Sequence, residues 1–250
     1  MSLSFLLGQV IPGDLGQRMN TFAAEEATKE IRKGFSSQLG ADVESAALTL
    51  GAIAQATDTI KFGSTSTIIS TLDPVRVYED FATIDAISDG RVEIVAGRAS
   101  RVGVFNMLGF SVDDYEELYD EKLELLKQIN ENEIVNWEGK FRAPLEDARV
   151  LPRAEREIPL WRAVGGAPPS AIAAGRDNIP MNLAALAGPV DAYVNTVDHY
   201  RQAAEAAGYD PDELPITLSG FFYTAETSQQ AVRDAFPYID NGMRLANGSG

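Results

Sequence analysis

Asp73 to Ser100 reads DPVRVYEDFATIDAISDGRVEIVAGRAS, and this run decides the fold. Asp73 is a residue type that caps helices. Pro74 follows at the first helical position, where its missing N–H costs nothing. Val77, Phe81 and Ile84 recur at helical spacing and give one apolar face. Asp89-Gly90 ends that helix and turns the chain. Val92 to Ala96 is then almost unbroken apolar sequence, as expected of a parallel strand covered on both faces. The strand opens into Gly97-Arg98-Ala99-Ser100. Carboxyl ends of parallel strands are where α/β folds bind ligands. A glycine for close approach, an arginine for a phosphate and a serine hydroxyl make Gly97, Arg98 and Ser100 a candidate anion site. The competing reading is a strand-end arginine paired with an acidic neighbour.

Working outward, the same rhythm continues. Leu3–Ile11 reads as a strand and Asn20–Lys33 as an amphipathic helix. Glu44–Ala56 reads as a small-residue helix, and Thr59–Ile69 as a strand. Phe105–Phe110 is expected to be a loop. Ser111, with Asp114 three residues on, starts a helix that runs to about Asn130. Residues 131–157 break the rhythm with two short extended pieces around a turn, expected as an insertion outside the main sheet. Strands at Pro159–Gly165, Met181–Ala187 and Ile216–Tyr223 alternate with helices at Ser170–Gly175, Val190–Ala207 and Ser228–Met243. Strand–helix alternation implies an α/β fold with a parallel sheet, most simply one (β/α)8 TIM-type barrel over residues 1–250. About six strands are visible where closure needs eight. The barrel is therefore expected to be incomplete, through omitted segments or natural degeneracy.

Composition sets limits. The chain has 250 residues, 45% hydrophobic, enough for one sizeable core. Its formal charge of −16 argues against nucleic acid or an anionic membrane as partner. There is no cysteine, so thiolate chemistry and Cys-ligated metals are excluded, and a cytoplasmic setting fits. The first residues lack a basic region and carry only a short apolar run, so no signal peptide is expected. No metal-ligand cluster is visible.

Two further groups invite ligands. Val164-Gly165-Gly166-Ala167-Pro168-Pro169-Ser170 joins a strand to a helix, where backbone N–H groups and the helix end favour an anion. An ordinary βα turn would use the same residues. Ser64-Thr65-Ser66-Thr67 places four hydroxyls in a row in a buried strand, so some must meet a polar ligand, water or neighbouring backbone. Asn182 could face a ligand or satisfy the next strand. Asp113-Asp114 and Glu116-Glu117 read as a solvated acidic helix start.

The run Asp73–Ser100 resembles the luciferase-like (bacterial luciferase-type) flavin-dependent monooxygenase family. That family shows DPV-R and then D-F-A-T-x-D-x-x-S-x-G-R-x-E-x-x-x-G-R at this point. The resemblance is strongest over Gly51–Gly166 and Pro180–Pro215, and poor over Gln9–Asp42 and after Tyr223. It implies a flavoprotein oxidoreductase in which reduced FMN and oxygen oxidise a small organic substrate. A separate flavin reductase would supply the FMN, and a homodimer is implied. It places Gly97, Arg98, Ser100, Gly165, Gly166, Ala167 and Ser170 at the flavin phosphate, with the Tyr115 helix nearby. The ring would lie against Ser64 and Thr65, with a non-prolyl cis peptide near that pair. Related members use F420 instead. The family's Glu-His-His at the end of strand two has no counterpart here, and the one histidine, His199, sits in a helix. Catalytic residues are therefore not named. A non-catalytic flavin-binding homologue stays open beside the enzyme, as does a sugar- or phosphate-metabolising barrel.

Overall fold

The computed structural model describes residues 46–99, 102–186, 190–220, 223 and 225–246. The expected first strand, the expected first helix and Ser100 lie outside them.

Helix α1 (Ala46–Ala56) leads to two short strands, β1 (Phe62–Gly63) and β2 (Thr67–Ile68). Helix α2 (Pro74–Ile87) and strand β3 (Val92–Gly97) follow. The Asp73 side chain accepts from the Val75 N–H at 2.9 Å, with Pro74 at the first turn. Asp89 and Gly90 both adopt positive φ, 55° and 74°, so the tight turn forms where the sequence placed it. Val92, Ile94 and Ala96 are fully buried.

The stretch 59–69 is not one strand. β1 and β2 both pair with β3, Phe62 beside Val92 and Thr67 beside Ala96. This side therefore carries one residue more than its partner, a bulge that kinks the edge. A cis peptide joins Thr65 and Ser66, one residue beyond the pair the resemblance indicated.

Beyond β3 the chain forms α3 (Val102–Met107) where a loop was expected. Val104 and Phe105 cause the difference: both are buried, in a small cluster with Ala99 and Leu118. A 3₁₀ turn capped by Ser111 leads into α4 (Tyr115–Glu131). β4 (Val135–Trp137) and β5 (Leu145–Ala148) pair antiparallel in a sheet of their own. Then come β6 (Leu160–Val164), α5 (Pro168–Arg176), β7 (Met181–Ala184), α6 (Val190–Ala206), β8 (Ile216–Ser219) and α7 (Ser228–Ala246). Among the described residues the main sheet runs β1/β2–β3–β6–β7–β8, every pairing parallel. The result is a curled α/β sheet, part of a TIM-type barrel.

Alternation along each strand sorts the two faces. Ile94, Ala96, Val164, Met181 and Leu183 are fully buried. Leu50, Val77, Phe81 and Leu126 from α1, α2 and α4 join Ile94 and Ala96 in the main cluster. α5 and α6 close the other half with Ala171, Ala174, Tyr200 and Ala204. They approach so tightly that a Cβ on Gly175 would lie 2.2 Å from the Tyr200 carbonyl oxygen. Among the described residues no helix is long and apolar enough to cross a membrane.

Candidate cofactor phosphate site

β3 and β6 are neighbours with Ala96 beside Arg162, so the turns that follow them open at the same end of the sheet. Arg98 leaves the first turn and Ser170 opens the helix after the second. Arg98 Nη1 donates to Ser170 Oγ at 3.2 Å, across 72 residues of chain. Arg98 Nη2 donates to Glu116 Oε2 at 2.7 Å. Its guanidinium lies 3.7 Å from the centre of the Tyr119 ring and 5.8 Å from that of Tyr115, both from α4. The Arg98 side chain is 10% exposed, whereas Glu116 is 69% exposed.

A second arginine lies beneath. Arg162 is only 2% exposed. It interrupts the otherwise apolar outer side of β6 and must be paired there. Its Nη2 donates to Asp120 Oδ1 at 2.7 Å, and its Nε reaches Ser170 Oγ at 3.4 Å. Its guanidinium also faces the Tyr119 ring, at 4.8 Å. Tyr119 is fixed in turn, donating its hydroxyl to the Ala96 carbonyl at 3.0 Å. Burial pushes this phenol up to about 12, with the two arginines pulling the other way, so it stays a neutral donor. Ser170 Oγ thus accepts from two guanidiniums, which leaves its own proton to donate elsewhere.

Two details bear on whether a phosphate suits these donors. Among the described residues Arg98 Nε is buried and has no hydrogen-bond partner. Gly97 has no room for a side chain, since a Cβ there would fall 1.9 Å from Ser66 Oγ. Strand end and kinked edge therefore close on each other. The Arg98 fork and the Ser170 hydroxyl are donors that suit a phosphate group, while Arg162 stays committed to Asp120.

The helix end contributes less than its sequence promised. Pro168 and Pro169 occupy its first positions, so two of the N–H groups that a helix start normally offers are missing. Ala167 makes no side-chain cap. Gly166 has φ +90°, and its carbonyl accepts from Thr196 Oγ1 at 2.9 Å, which holds the loop against α6. A Cβ on Gly165 would meet nothing within 4 Å, so the loop is open there.

Lys122 braces the other wall. Its buried Nζ donates to the Ser70 carbonyl at 2.9 Å and lies 4.2 Å from the Phe110 ring centre. Ser70 Oγ accepts from the Ala99 N–H at 3.4 Å, so Lys122 supports the turn carrying Arg98 through one intermediary. Burial lowers its pKa to about 8, with Asp73 and Glu121 acting in the opposite sense.

The remaining candidates lie elsewhere. Ser64 Oγ and Thr67 Oγ1 are 2.5 Å apart and satisfy each other. Thr65 lines a concavity on the inner face with Gly63, Val95, Trp161, Asn182 and Thr217. Asn182 bonds to Thr217 and Ser219 of β8, at 2.7 and 2.8 Å. His199 sits half-exposed on α6, its Nδ1 2.7 Å from the Asn195 carbonyl. Glu116 and Glu117 are not a merely solvated helix start: Glu116 holds Arg98, and Glu117 pairs with Lys140 at 2.9 Å. Sequence reasoning missed Arg162, Tyr119 and Asp120. The available signal was a lone arginine in an apolar strand.

The model of the luciferase-like monooxygenase family matches residues 24–249. The chain belongs to that family. Its fold is similar to that of the monooxygenase RslO1 from Streptomyces bottropensis, with a TM-score of 0.73, 28% identity, and 81% of this chain on 63% of that one. It is also similar to the oxygenating constituent of 3,6-diketocamphane monooxygenase from Pseudomonas putida, solved in complex with FMN. That match has a TM-score of 0.69 and 19% identity, covering 93% of this chain and 70% of that one. An F420-dependent glucose-6-phosphate dehydrogenase of Amycolatopsis mediterranei is 28% identical over 120 residues, 46% of this chain and 35% of that protein. The chain spans well under half the length of that curated relative.

Proposed function

We propose that this member of the luciferase-like family binds reduced FMN and supports oxygen-dependent oxidation of a small organic substrate. The observation that carries the reading is the Arg98 fork. It is nearly buried, backed by Tyr119, and joined to Ser170 from the neighbouring strand end. Arg98, with the hydroxyls of Ser170 and Ser100, would hold the phosphate, with Gly97, Gly165, Gly166 and Ala167 shaping the two turns. Thr65 and the inner-face concavity would receive the ring, with Ser64 behind it. When bound, the flavin supplies the redox chemistry. The chain's part is to fix the cofactor by its anionic end and to keep water away from the inner face. The reading carries with it a flavin reductase as the source of reduced cofactor, a homodimer and a cytoplasmic setting.

The relative named for F420 favours a second reading, hydride transfer with F420 and no oxygen. Anaerobic titration with reduced FMN, FMN, riboflavin and F420 separates the possibilities. The first reading expects FMN forms to bind more tightly than riboflavin and F420. Equal affinity for FMN and riboflavin would remove the phosphate site, and tighter F420 binding would replace the cofactor.

A further inference from the structure

Arg98 presents two terminal nitrogens at the mouth of the site, and one is taken by a carboxylate of the same chain. Glu116 Oε2 lies 2.7 Å from Arg98 Nη2, and this carboxylate is 69% exposed. The other acid near Arg98 is differently committed: Asp120 is 3.9 Å away and accepts from buried Arg162 at 2.7 Å. The charges of the four groups cancel, two arginines against two carboxylates. Glu116 is thus the most exposed member of a neutral cluster, while Arg98 Nε stays buried without a partner among the described residues. We propose that Glu116 is an exchangeable counter-ion that occupies the ligand's place on Arg98. An incoming phosphate must displace it, so this carboxylate sets how tightly the site takes an anion.

The inference rests on the phosphate reading of Arg98 and adds a competitor to it. An exposed carboxylate can leave a guanidinium at low cost, because water re-solvates it. A phosphate gives the same fork more acceptor oxygens and more charge. The exchange therefore favours the ligand, but the ligand loses the Arg98–Glu116 interaction in the process. Glu117 is the natural control: it is one residue on, carries the same charge, and is paired with Lys140 instead.

The test is fluorescence titration of FMN and riboflavin against wild type, Glu116→Gln and Glu117→Gln, at fixed ionic strength. Glu116→Gln is expected to tighten FMN by about two- to fivefold, leaving riboflavin unchanged. Glu117→Gln is expected to leave both unchanged. If wild type prefers FMN but Glu116→Gln does not tighten it, the counter-ion proposal fails and the phosphate reading survives. Equal tightening in both variants would make the effect one of net charge and overturn the proposal. If wild type binds FMN and riboflavin alike, both ideas fall together.

Discussion

Strand β3 has an arginine at each end, and the two are used in opposite ways. Arg91, just before the strand, spends all five N–H donors on fixed acceptors. They reach the carbonyls of Ala54, Thr57, Ile60 and Ser88 and the Thr57 hydroxyl, at 2.7–2.9 Å. Its cation closes the carboxyl end of α1, where unpaired carbonyls and the helix dipole welcome it. Arg98, just after the strand, meets one hydroxyl and one exposed carboxylate, and leaves its Nε unused. The first is a clamp on backbone, and the second holds partners that can change. This matches the division seen in parallel barrels, where the amino end of the strands serves stability and the carboxyl end serves chemistry.

The hardest attempt to break the contrast is Arg91→Met. It should cost about 3 kcal/mol or more of stability in denaturant unfolding, because several carbonyls lose a charged donor together. FMN affinity of the folded fraction should hold; a mild loss of stability with a large loss of affinity would reverse the two roles. Arg98→Ala comes next. It should weaken FMN binding by about 1.5–3 kcal/mol, the range for a charge-assisted bond, with riboflavin binding unaffected. Unchanged FMN affinity would place Arg98 with Arg91 as a structural residue.

Lys122→Met sharpens the comparison through pH. Lys122 has its pKa lowered to about 8 from the ordinary 10.5, so between these values the unfolded chain binds more protons than the folded one. This residue's contribution to stability therefore rises as pH goes from about 8 to 10.5, and falls away on the return. Wild type should gain stability relative to Lys122→Met across that window in parallel urea titrations. Two curves that stay a constant distance apart would show that the amine titrates normally. The smallest effect is expected of His199→Ala, which should leave FMN affinity and stability nearly as they are. A large loss in either would bring this helix residue into the site.

How much was legible in the sequence follows from how local each cause is. The helix, turn and strand of 73–97 were readable because the cap, the apolar period and the turn residues all lie within the segment. The meeting of Arg98 with Ser170 followed from a general rule about strand ends rather than from either motif alone. Arg91 gave no warning, because four of its five acceptors are main-chain carbonyls, which leave no mark on residue identity. Glu116 looked like a solvated helix start, since its partner lies 18 residues back at a strand end. Arg162 could have been suspected, because a charge within Leu160–Val164 demands a partner. The break in 59–69 could not, because the extra residue appears only once the pairing with β3 is known.

Tyr119 has one consequence beyond its contacts. One ring supports both guanidiniums, and its hydroxyl is tethered to β3, the strand that Arg98 leaves. The turn after β3 and the strand β6, distant in the chain, are thereby seated on a common bearing. A small tilt of that ring would re-aim both cations together, so the grip on an anion should tighten or slacken as a unit.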